Sequence, residues 1–236
     1  MRARVASGPV AHNAPAASAR AAYYPVFLDL RGRRVVVIGG GLIAQRKVSS
    51  LLRCGADIDL ISPDVTRRLT QAAATGAIRH MARRFRPSDV CGAWLVCAAT
   101  DDQAVNERVY EAACTARVFA NIVDQKRLCS FIAPAIARLG QLTVAVSTGG
   151  ASPTIAKRVR QDVQRTLGPE YGRLLRLVSG LREAAKRRLP TYAARRRYFD
   201  ELVSGRVGQL ARRGDSPAAR RGALALMDRY AKRGGR

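Results

Sequence analysis

A glycine-rich segment in the first quarter of the chain has the spacing of a nucleotide-binding loop. Residues 39–44 read GGGLIA, which fits G-x-G-x-x-G/A and directly follows a β-branched run. The first glycine permits a tight turn, the second lets the backbone approach a pyrophosphate, and the small last residue allows close helix–strand packing. A helix N-terminus also offers oriented N–H groups to phosphates. The spacing predicts a dinucleotide site, with contacts from Gly39, Gly41, Leu42 and Ile43.

The residues that would meet the adenosine ribose follow the next predicted strand. Pro63 and Asp64 stand there, about twenty residues beyond the glycines. An aspartate can accept hydrogen bonds from the ribose hydroxyls, which favours NAD. Arg67 and Arg68 follow closely and could instead bind a 2′-phosphate, which favours NADP. We expect NAD, with Pro63 and Asp64 in the cofactor loop.

A further cofactor contact is expected after the apolar run 94–99, where Thr100 and Asp101 stand. Ligands of open α/β sheets bind at the carboxyl ends of the strands. Asp101 and Asp102 also suit the start of a helix, because acidic side chains are stabilising at helix N-termini. The two roles are compatible.

A second glycine-rich turn, at 147–153, reads STGGASP. Ser152 as N-cap and Pro153 in the first turn predict that a helix starts here. Backbone N–H groups of such a turn can hold a carboxylate. The residues expected to do so are Ser147, Thr148, Gly149 and Gly150. Three cations on the following helix, Lys157, Arg158 and Arg160, either add to this site or form a solvated face.

Alternating strand and helix patterns must position these loops. Strands are predicted at 34–39, 58–61, 94–99 and 118–123, with short ones near Ile78 and Arg84, and helices at 42–54, 63–75 and 101–116. This alternation predicts an α/β fold with a Rossmann-type doubly wound parallel sheet. Beyond it, 131–136 and 142–146 look like two strands of a separate small sheet, and a basic helical region from 170 is interrupted at Pro190.

The chain is strongly basic. Its 236 residues include 42 Lys+Arg and 17 Asp+Glu, for a net charge of +25. The excess is +10 over 1–150 (20 basic, 10 acidic) and +15 over 151–236 (22 basic, 7 acidic). Such charge suggests a polyanionic partner, but aromatics are only 6% and no nucleic-acid motif occurs, so nucleic acid is not expected. No apolar run approaches about 18 residues, so no membrane span is expected.

The cysteines, histidines and N-terminus give weaker signals. An odd cysteine count without C-x-x-C spacing supports neither a disulfide framework nor a zinc ribbon, so we expect mostly small buried thiols and a reducing, cytoplasmic location. His80 lacks a second ligand at suitable spacing, so we expect a structural role and no permanent metal. Residues 1–22 are rich in Ala and Arg and contain no acid; a disordered extension is favoured over a transit peptide.

Taken in order, five segments resemble one known family. They are GGGLIAQRK at 39–47, AATDD at 98–102 with Asn106, NIVD at 121–124, CSF at 129–131 with PAI at 134–136, and VAVSTGGASP at 144–153. The chain resembles the precorrin-2 dehydrogenase/sirohydrochlorin ferrochelatase family from about Tyr24 to about Phe199. The resemblance covers the siroheme-synthase N-terminal module, and we expect no methyltransferase domain in this chain.

The resemblance implies NAD-dependent oxidation of precorrin-2 to sirohydrochlorin, followed in many members by insertion of Fe²⁺ as a substrate. It also implies a homodimer that acts on tetrapyrroles, with a small dimerisation and substrate region after the sheet. Asp124 is implied as the acid/base residue and a possible transient contact for iron; a helix cap or turn acid is the alternative. The position of Thr148 is implied in substrate binding and is phosphorylated in some relatives.

The resulting domain hypothesis has five parts. It places a tail at 1–22, the NAD-binding domain at 23–130, the dimerisation and substrate region at 131–166, a helical region at 167–205 and a basic, partly disordered tail at 206–236. Two other functions stay open: a dehydrogenase that leaves iron insertion to a separate chelatase, and a non-enzymatic NAD-sensing regulatory module. The second would need the glycine turn but not Asp124.

Overall fold

The computed structural model describes residues 23–234, with side chains up to Lys232. The extension expected at 1–22 lies outside the described residues. The chain divides into two compact units, one ending at Val123 and one beginning at Asp124. This division falls before residue 130, where the sequence pattern had suggested the boundary.

The first unit is built around a five-stranded, all-parallel sheet of order β3-β2-β1-β4-β5. Its elements are β1 (Arg34–Ile38), α1 (Leu42–Leu52), β2 (Asp57–Ile61), α2 (Arg67–Ala74), β3 (Arg79–Met81), β4 (Leu95–Ala98), α3 (Gln103–Ala116) and β5 (Phe119–Ile122). The chain crosses over after β3, which returns β4 to the other side of β1. The predicted Rossmann-type sheet is confirmed.

The core of this unit forms where the β-branched runs lie at the centre of the sheet. Val35, Val36 and Val37 on β1 are fully buried, as expected for a central parallel strand covered on both faces. The buried acid of β2 is neutralised by its neighbours, since Asp59 accepts from Arg34 at 2.7 Å and forms an ion pair with Arg79 at 2.6 Å.

The short strand expected near Arg84 is not formed. The Arg83 guanidinium and the backbone N–H of Arg86 both donate to the Asp89 carboxylate, each with a bond of 2.7 Å. These bonds fold the segment toward a 3₁₀ turn at Pro87–Val90, so its backbone does not extend the sheet. Burial alone raises the pKa of Asp89, but the Arg83 and Arg86 hydrogen bonds outweigh it and the pKa is lowered.

The second unit begins with a β-hairpin and continues as helices. Its elements are β6 (Ala135–Leu139), β7 (Leu142–Val146), α4 (Pro153–Thr166), α5 (Gly168–Arg188), α6 (Tyr192–Ser204), α7 (Arg206–Arg213) and α8 (Ser216–Gly234). The strands β6 and β7 pair antiparallel. The first strand starts later than expected, after Pro134, which has no N–H to donate to a ladder.

The sequence predicts a basic, partly disordered tail at 206–236. For the described residues, up to 234, this prediction is wrong. Helices α7 and α8 pack with α5 and α6 around one apolar cluster, whose buried members in α7 and α8 are Ala211, Ala219, Ala223, Leu226 and Met227. Gly214 is left-handed (φ +96°) and ends α7, while Pro217 falls in the first turn of α8, where proline is tolerated. Three of the five buried side chains are alanines, which give a weak apolar signal among many arginines.

Within residues 23–234, none of the helices combines the length and apolar content that a membrane crossing requires.

Candidate functional site

The carboxyl edge of the parallel sheet holds the segments that the sequence singled out in the first unit. The backbone N–H of Gly39 donates to Ile61 O at 3.0 Å, and that of Ala99 donates to Ile38 O at 2.8 Å. The N–H of Val123 donates to Ala98 O at 3.0 Å. The loops after β1, β2, β4 and β5 therefore leave the sheet side by side.

The three successive glycines differ in what a side chain would meet at each position. Gly39 is left-handed (φ +103°), and a Cβ there would overlap the carbonyl oxygen of Ala99. A Cβ on Gly40 would overlap the carbonyl oxygen of Asp64. A Cβ on Gly41 would meet nothing within 4 Å. Packing thus requires the first two glycines, whereas Gly41 faces open space that a ligand can approach.

The N-terminus of α1 is suited to bind a phosphate. Gly41 is its N-cap, with no side-chain hydrogen bond to the first turn and no acidic residue within that turn. Leu42 and Ile43 are 64% and 41% exposed. Uncapped first-turn N–H groups carry the positive end of the helix dipole. Together with the space beside Gly41, they fit the pyrophosphate of a dinucleotide.

The loop after β2 is fixed against the glycine turn. The buried Ser62 hydroxyl donates to Asp64 O at 2.7 Å, and the N–H of Thr66 donates to Gly40 O at 3.0 Å. Pro63 and Asp64 are exposed beside this turn. Arg67 and Arg68 are exposed in the first turn of α2, so the groups that would favour NAD or NADP stand on the same loop.

The loop after β4 assigns separate roles to its two aspartates. Asp102 is the N-cap of α3, since its Oδ1 accepts from Val105 N at 3.0 Å. Asp101 is exposed and is not the cap. The Asn106 amide donates to Thr100 O at 3.0 Å, and its Oδ1 is buried without a hydrogen-bond partner in the part of the chain that the structure describes. Asn106 therefore shapes the Thr100 loop.

Asp124 lies two residues after the end of β5 and has an unusual backbone. Its φ is +58° and its side chain is exposed. Aspartate and asparagine tolerate the left-handed region better than most residues do. The chain therefore turns sharply at this carboxylate, immediately after the ladder bond of Val123.

The second glycine turn is held mainly by its own hydroxyl groups. Thr148 Oγ1 accepts from Ser152 N at 3.0 Å and donates to Ser152 O at 3.1 Å. Ser147 Oγ accepts from Gly149 N at 3.1 Å, which leaves its hydroxyl hydrogen for another acceptor. Gly149 and Gly150 are left-handed, with φ of +61° and +78°. The predicted N-cap Ser152 does cap α4, through Ile155 N.

The remaining sequence candidates are peripheral to these sites. His80 Nε2 lies 2.9 Å from Ser62 O, a contact typical of a structural histidine. All five cysteines are free thiols, but only Cys97 is buried. The expectation of mostly buried thiols is therefore wrong: two are half-buried and two are exposed, namely Cys54 and Cys129, and Cys91 and Cys114. Residues 23–234 contain no group of three or more His, Cys, Asp or Glu side chains that could hold a metal ion.

Two lysine contacts were not anticipated. Lys47 on α1 donates to Asn121 on β5, and Lys126 donates to the carbonyl of Gly149. Each joins segments far apart in the chain, so neither could be found by local spacing.

A parallel sheet with an uncapped, glycine-lined helix N-terminus defines a nucleotide-binding protein of the Rossmann type. Three family models match consecutive parts of the chain: an NAD(P)-binding family at 26–135, the sirohaem biosynthesis protein central region at 140–166 and the sirohaem synthase dimerisation region at 170–227. The chain therefore combines an NAD(P)-binding region with regions similar to the central and dimerisation parts of sirohaem synthases.

Curated relatives are named siroheme synthases. Siroheme synthase 3 of Aeromonas hydrophila is 38% identical over 214 residues, which cover 90% of this chain and 46% of the relative. The siroheme synthase of Thioalkalivibrio sulfidiphilus is 41% identical over 199 residues, covering 84% and 40%. The chain thus spans less than half the length of these relatives.

A solved structure matches most of the chain. The protein titled "SirC, precorrin-2 dehydrogenase" superposes with a TM-score of 0.72 at 27% identity, covering 88% of this chain and all of that one. The similarity therefore includes both the sheet and the helical region after it.

Proposed function

We propose that this protein is an NAD-dependent dehydrogenase of siroheme biosynthesis that oxidises precorrin-2 to sirohydrochlorin. The observation that carries the proposal is the common sheet edge: the open glycine turn after β1 and the end of β5 at Ile122, two residues before Asp124, lie on the same edge of the sheet. The solved precorrin-2 dehydrogenase matches this chain along the full length of that protein, and this similarity supports the choice of substrate.

The cofactor would be held by residues of the first unit. The pyrophosphate would be bound by the glycine turn and the start of α1, at Gly39, Gly41, Leu42 and Ile43. The adenosine ribose would contact Pro63 and Asp64. The part of the cofactor nearer β4 would contact Thr100 and Asp101. When bound, NAD⁺ supplies the hydride acceptor. The exposed Asp64 carboxylate supports NAD over NADP, because it would repel a 2′-phosphate.

Asp124 is proposed as the base. Oxidation of precorrin-2 removes a hydride, with its electron pair, and one proton. With NAD⁺ bound as the hydride acceptor, the Asp124 carboxylate would accept the proton. The exposure of this side chain at a fixed turn supports the role, because a base must reach the proton that it removes.

The substrate carries many carboxylates, and the second unit offers groups that suit them. We assign its binding to the turn of Ser147, Thr148, Gly149 and Gly150. The Ser147 hydroxyl and the backbone N–H of Gly150 are the groups best placed to donate, because the Gly149 N–H already donates to Ser147 Oγ. The Thr148 hydroxyl already makes two bonds to Ser152, so its role would be to shape the turn.

The dehydrogenase reaction is tested with purified protein, precorrin-2 and NAD⁺ under anaerobic conditions, followed by NADH absorbance. The informative variant is Asp124→Asn, since asparagine tolerates the same left-handed backbone. It should lower kcat by about a hundredfold or more while NAD⁺ binding, measured by calorimetry, is retained. Asp57→Asn is the matched control, because Asp57 is exposed at the opposite, amino end of β2.

The outcomes separate the competing functions. NAD⁺ binding without any turnover by the wild-type protein would favour the regulatory module and overturn the dehydrogenase proposal. Full turnover by Asp124→Asn would show that Asp124 is not the base, while the dehydrogenase proposal itself would stand. A higher kcat/KM with NADP⁺ than with NAD⁺ would reverse the cofactor assignment.

We extend the proposal to insertion of Fe²⁺ into sirohydrochlorin, as a second reaction in a homodimer. The names of the curated relatives support the iron step, and the family model for a dimerisation region supports the dimer. In this step Asp124 would receive pyrrole protons and transiently contact iron. Siroheme formation from sirohydrochlorin and Fe²⁺ without NAD⁺ tests this step. A protein that oxidises precorrin-2 but forms no siroheme would indicate a separate chelatase.

A further inference from the structure

Lys126 joins the two segments of the second unit that carry proposed site residues. It lies two residues after Asp124, in the 3₁₀ turn Lys126–Leu128. Its Nζ donates to the carbonyl oxygen of Gly149 at 2.7 Å. One side chain therefore fixes the segment that follows the proposed base to the glycine turn proposed for the substrate.

The lysine stem also packs across the turn. An ideal Cβ on Gly150 would lie 3.0 Å from Lys126 Nζ and 3.1 Å from its Cε. A side chain at position 150 would thus require the end of the lysine to shift by a few tenths of an ångström. The left-handed backbone of Gly150 (φ +78°) disfavours a side chain more strongly.

The charge of Lys126 is not neutralised by an acid. Among the described residues its ammonium makes one hydrogen bond, to a carbonyl, and no ion pair. Lys186 on α5 differs, because its Nζ lies 2.7 Å from Glu183. An ammonium has three N–H donors, so Lys126 keeps a positive charge and two donors at an exposed position beside the turn.

We propose that Lys126 is a substrate-positioning residue. It holds the Gly149–Gly150 turn in its binding conformation and supplies the positive charge that attracts a carboxylate of the substrate. The inference rests on the proposed function, and it assigns to this chain a specificity-determining residue that no local motif indicates. Uncharged tetrapyrrole esters should consequently lose most of their affinity for the site.

The experiment uses the full chain with three substitutions. Lys126→Met keeps the aliphatic stem and removes the charge, Lys126→Arg restores it, and Lys186→Met is the control with the same chemical change on an exposed helix face. Steady-state kinetics give KM and kcat for precorrin-2 and KM for NAD⁺. Sirohydrochlorin binding without NAD⁺, followed by the absorbance of the tetrapyrrole, gives a readout that does not depend on turnover.

Lys126→Met should raise the KM for precorrin-2 and the Kd for sirohydrochlorin about tenfold, as expected for losing a hydrogen bond to a charged group. The KM for NAD⁺ should stay unchanged, and the melting temperature should fall only slightly, because the bond to Gly149 is exposed to water. Lys126→Arg should recover most of the affinity, and added salt should weaken wild-type binding more than that of Lys126→Met.

Two results would overturn the inference. One is a KM for precorrin-2 in Lys126→Met within twofold of the Lys186→Met control. The other is an equal rise in KM for precorrin-2 and for NAD⁺ together with a lower melting temperature, which would indicate a merely structural contact. If the wild-type protein binds sirohydrochlorin but does not turn over precorrin-2, the dehydrogenase proposal fails while the binding comparison still tests Lys126.

Discussion

The ammonium of Lys47 donates a 2.6 Å hydrogen bond to the amide oxygen of Asn121. Lys47 is half-buried on α1, and Asn121 is 8% exposed on β5. Because an ammonium can only donate, it fixes which end of the amide faces the helix. The bond links the helix that begins at the candidate cofactor turn to the strand that ends two residues before Asp124.

Breaking this bond should destabilise the first unit. Lys47→Met should lower the free energy of unfolding by about 1.5–3 kcal/mol, the range for hydrogen bonds to charged groups. Arg46→Met, one residue away on the exposed face of α1, should change it by no more than about 0.5 kcal/mol. Urea unfolding curves give both values.

A double-mutant cycle isolates the pair. Asn121→Ala together with Lys47→Met should destabilise less than the sum of the single changes, with a coupling of about 1 kcal/mol or more. Strict additivity would show that the two side chains do not interact in solution.

The three glycines of the first turn should separate folding from binding. Gly40→Ala places a Cβ into the Asp64 carbonyl, so the loop after β2 must move and the melting temperature should fall by several degrees. Gly41→Ala meets open space, so the protein should fold normally. Its NAD⁺ affinity should nevertheless fall about tenfold or more, because the methyl group occupies the path of the pyrophosphate.

Thermal unfolding and calorimetric NAD⁺ titration measure the two effects. If Gly41→Ala retained full NAD⁺ affinity, the pyrophosphate could not lie against this glycine, and the cofactor assignment would fall with it.

The sheet could be predicted from sequence because its signals are local. The β-branched run before Gly39 and the apolar spacing of α1 fall within one β-α-β unit, and both are where the pattern placed them. The same holds for the Ser152 cap of α4. In each case the residues that specify the structure are close together in the chain.

The parts that could not be predicted depend on contacts between distant residues. Nothing near Lys47 or Lys126 in sequence indicates their partners, Asn121 and Gly149. Helix α8 buries Ala219 and Ala223 in a basic segment, where alanine and arginine together resemble a solvated tail. The exposure of Asp101 and the capping role of Asp102 were also undecided, because adjacent aspartates satisfy the same pattern.

Ser147 and Thr148 should differ in their effects, although both were assigned to substrate binding. The Thr148 hydroxyl makes both of its hydrogen bonds within the turn. Thr148→Val should therefore loosen the turn and lower stability by about 1 kcal/mol, whereas Thr148→Ser should behave like the wild-type protein. Ser147→Ala removes an exposed hydroxyl that can donate to a ligand, and the Gly149 N–H that it leaves can bond to water at this exposed turn. The change should therefore weaken sirohydrochlorin binding with little change in stability.

Chemical unfolding and tetrapyrrole titration distinguish the pair. Equal effects of Ser147→Ala and Thr148→Val on both measurements would contradict the division of roles.

The helical region should lose stability at alkaline pH through one buried tyrosine. Burial raises the pKa of Tyr198 from 10.0 to about 12, with a smaller opposing effect of Arg188. The hydroxyl donates to Ala223 O at 3.2 Å, and the side chain is fully buried in the apolar cluster of α5 to α8. Ionisation in place would leave a buried phenolate, so the folded state resists it.

The sign of the pH dependence follows from linkage. Below pH 10 both states hold the Tyr198 proton, and the contribution to stability is fully present. As pH rises toward 12 the unfolded chain releases the proton first, so stability falls by at most about 1.4 kcal/mol per pH unit until the folded protein also ionises. Tyr198→Phe cannot titrate, so the difference in unfolding free energy between it and the wild-type protein should be constant up to pH 10. That difference should then shift in favour of the variant, since the titration of all other groups cancels in the comparison. Urea unfolding at intervals between pH 8 and pH 12 measures it, and a pH-independent difference would show that Tyr198 ionises as readily in the folded protein as in the unfolded chain.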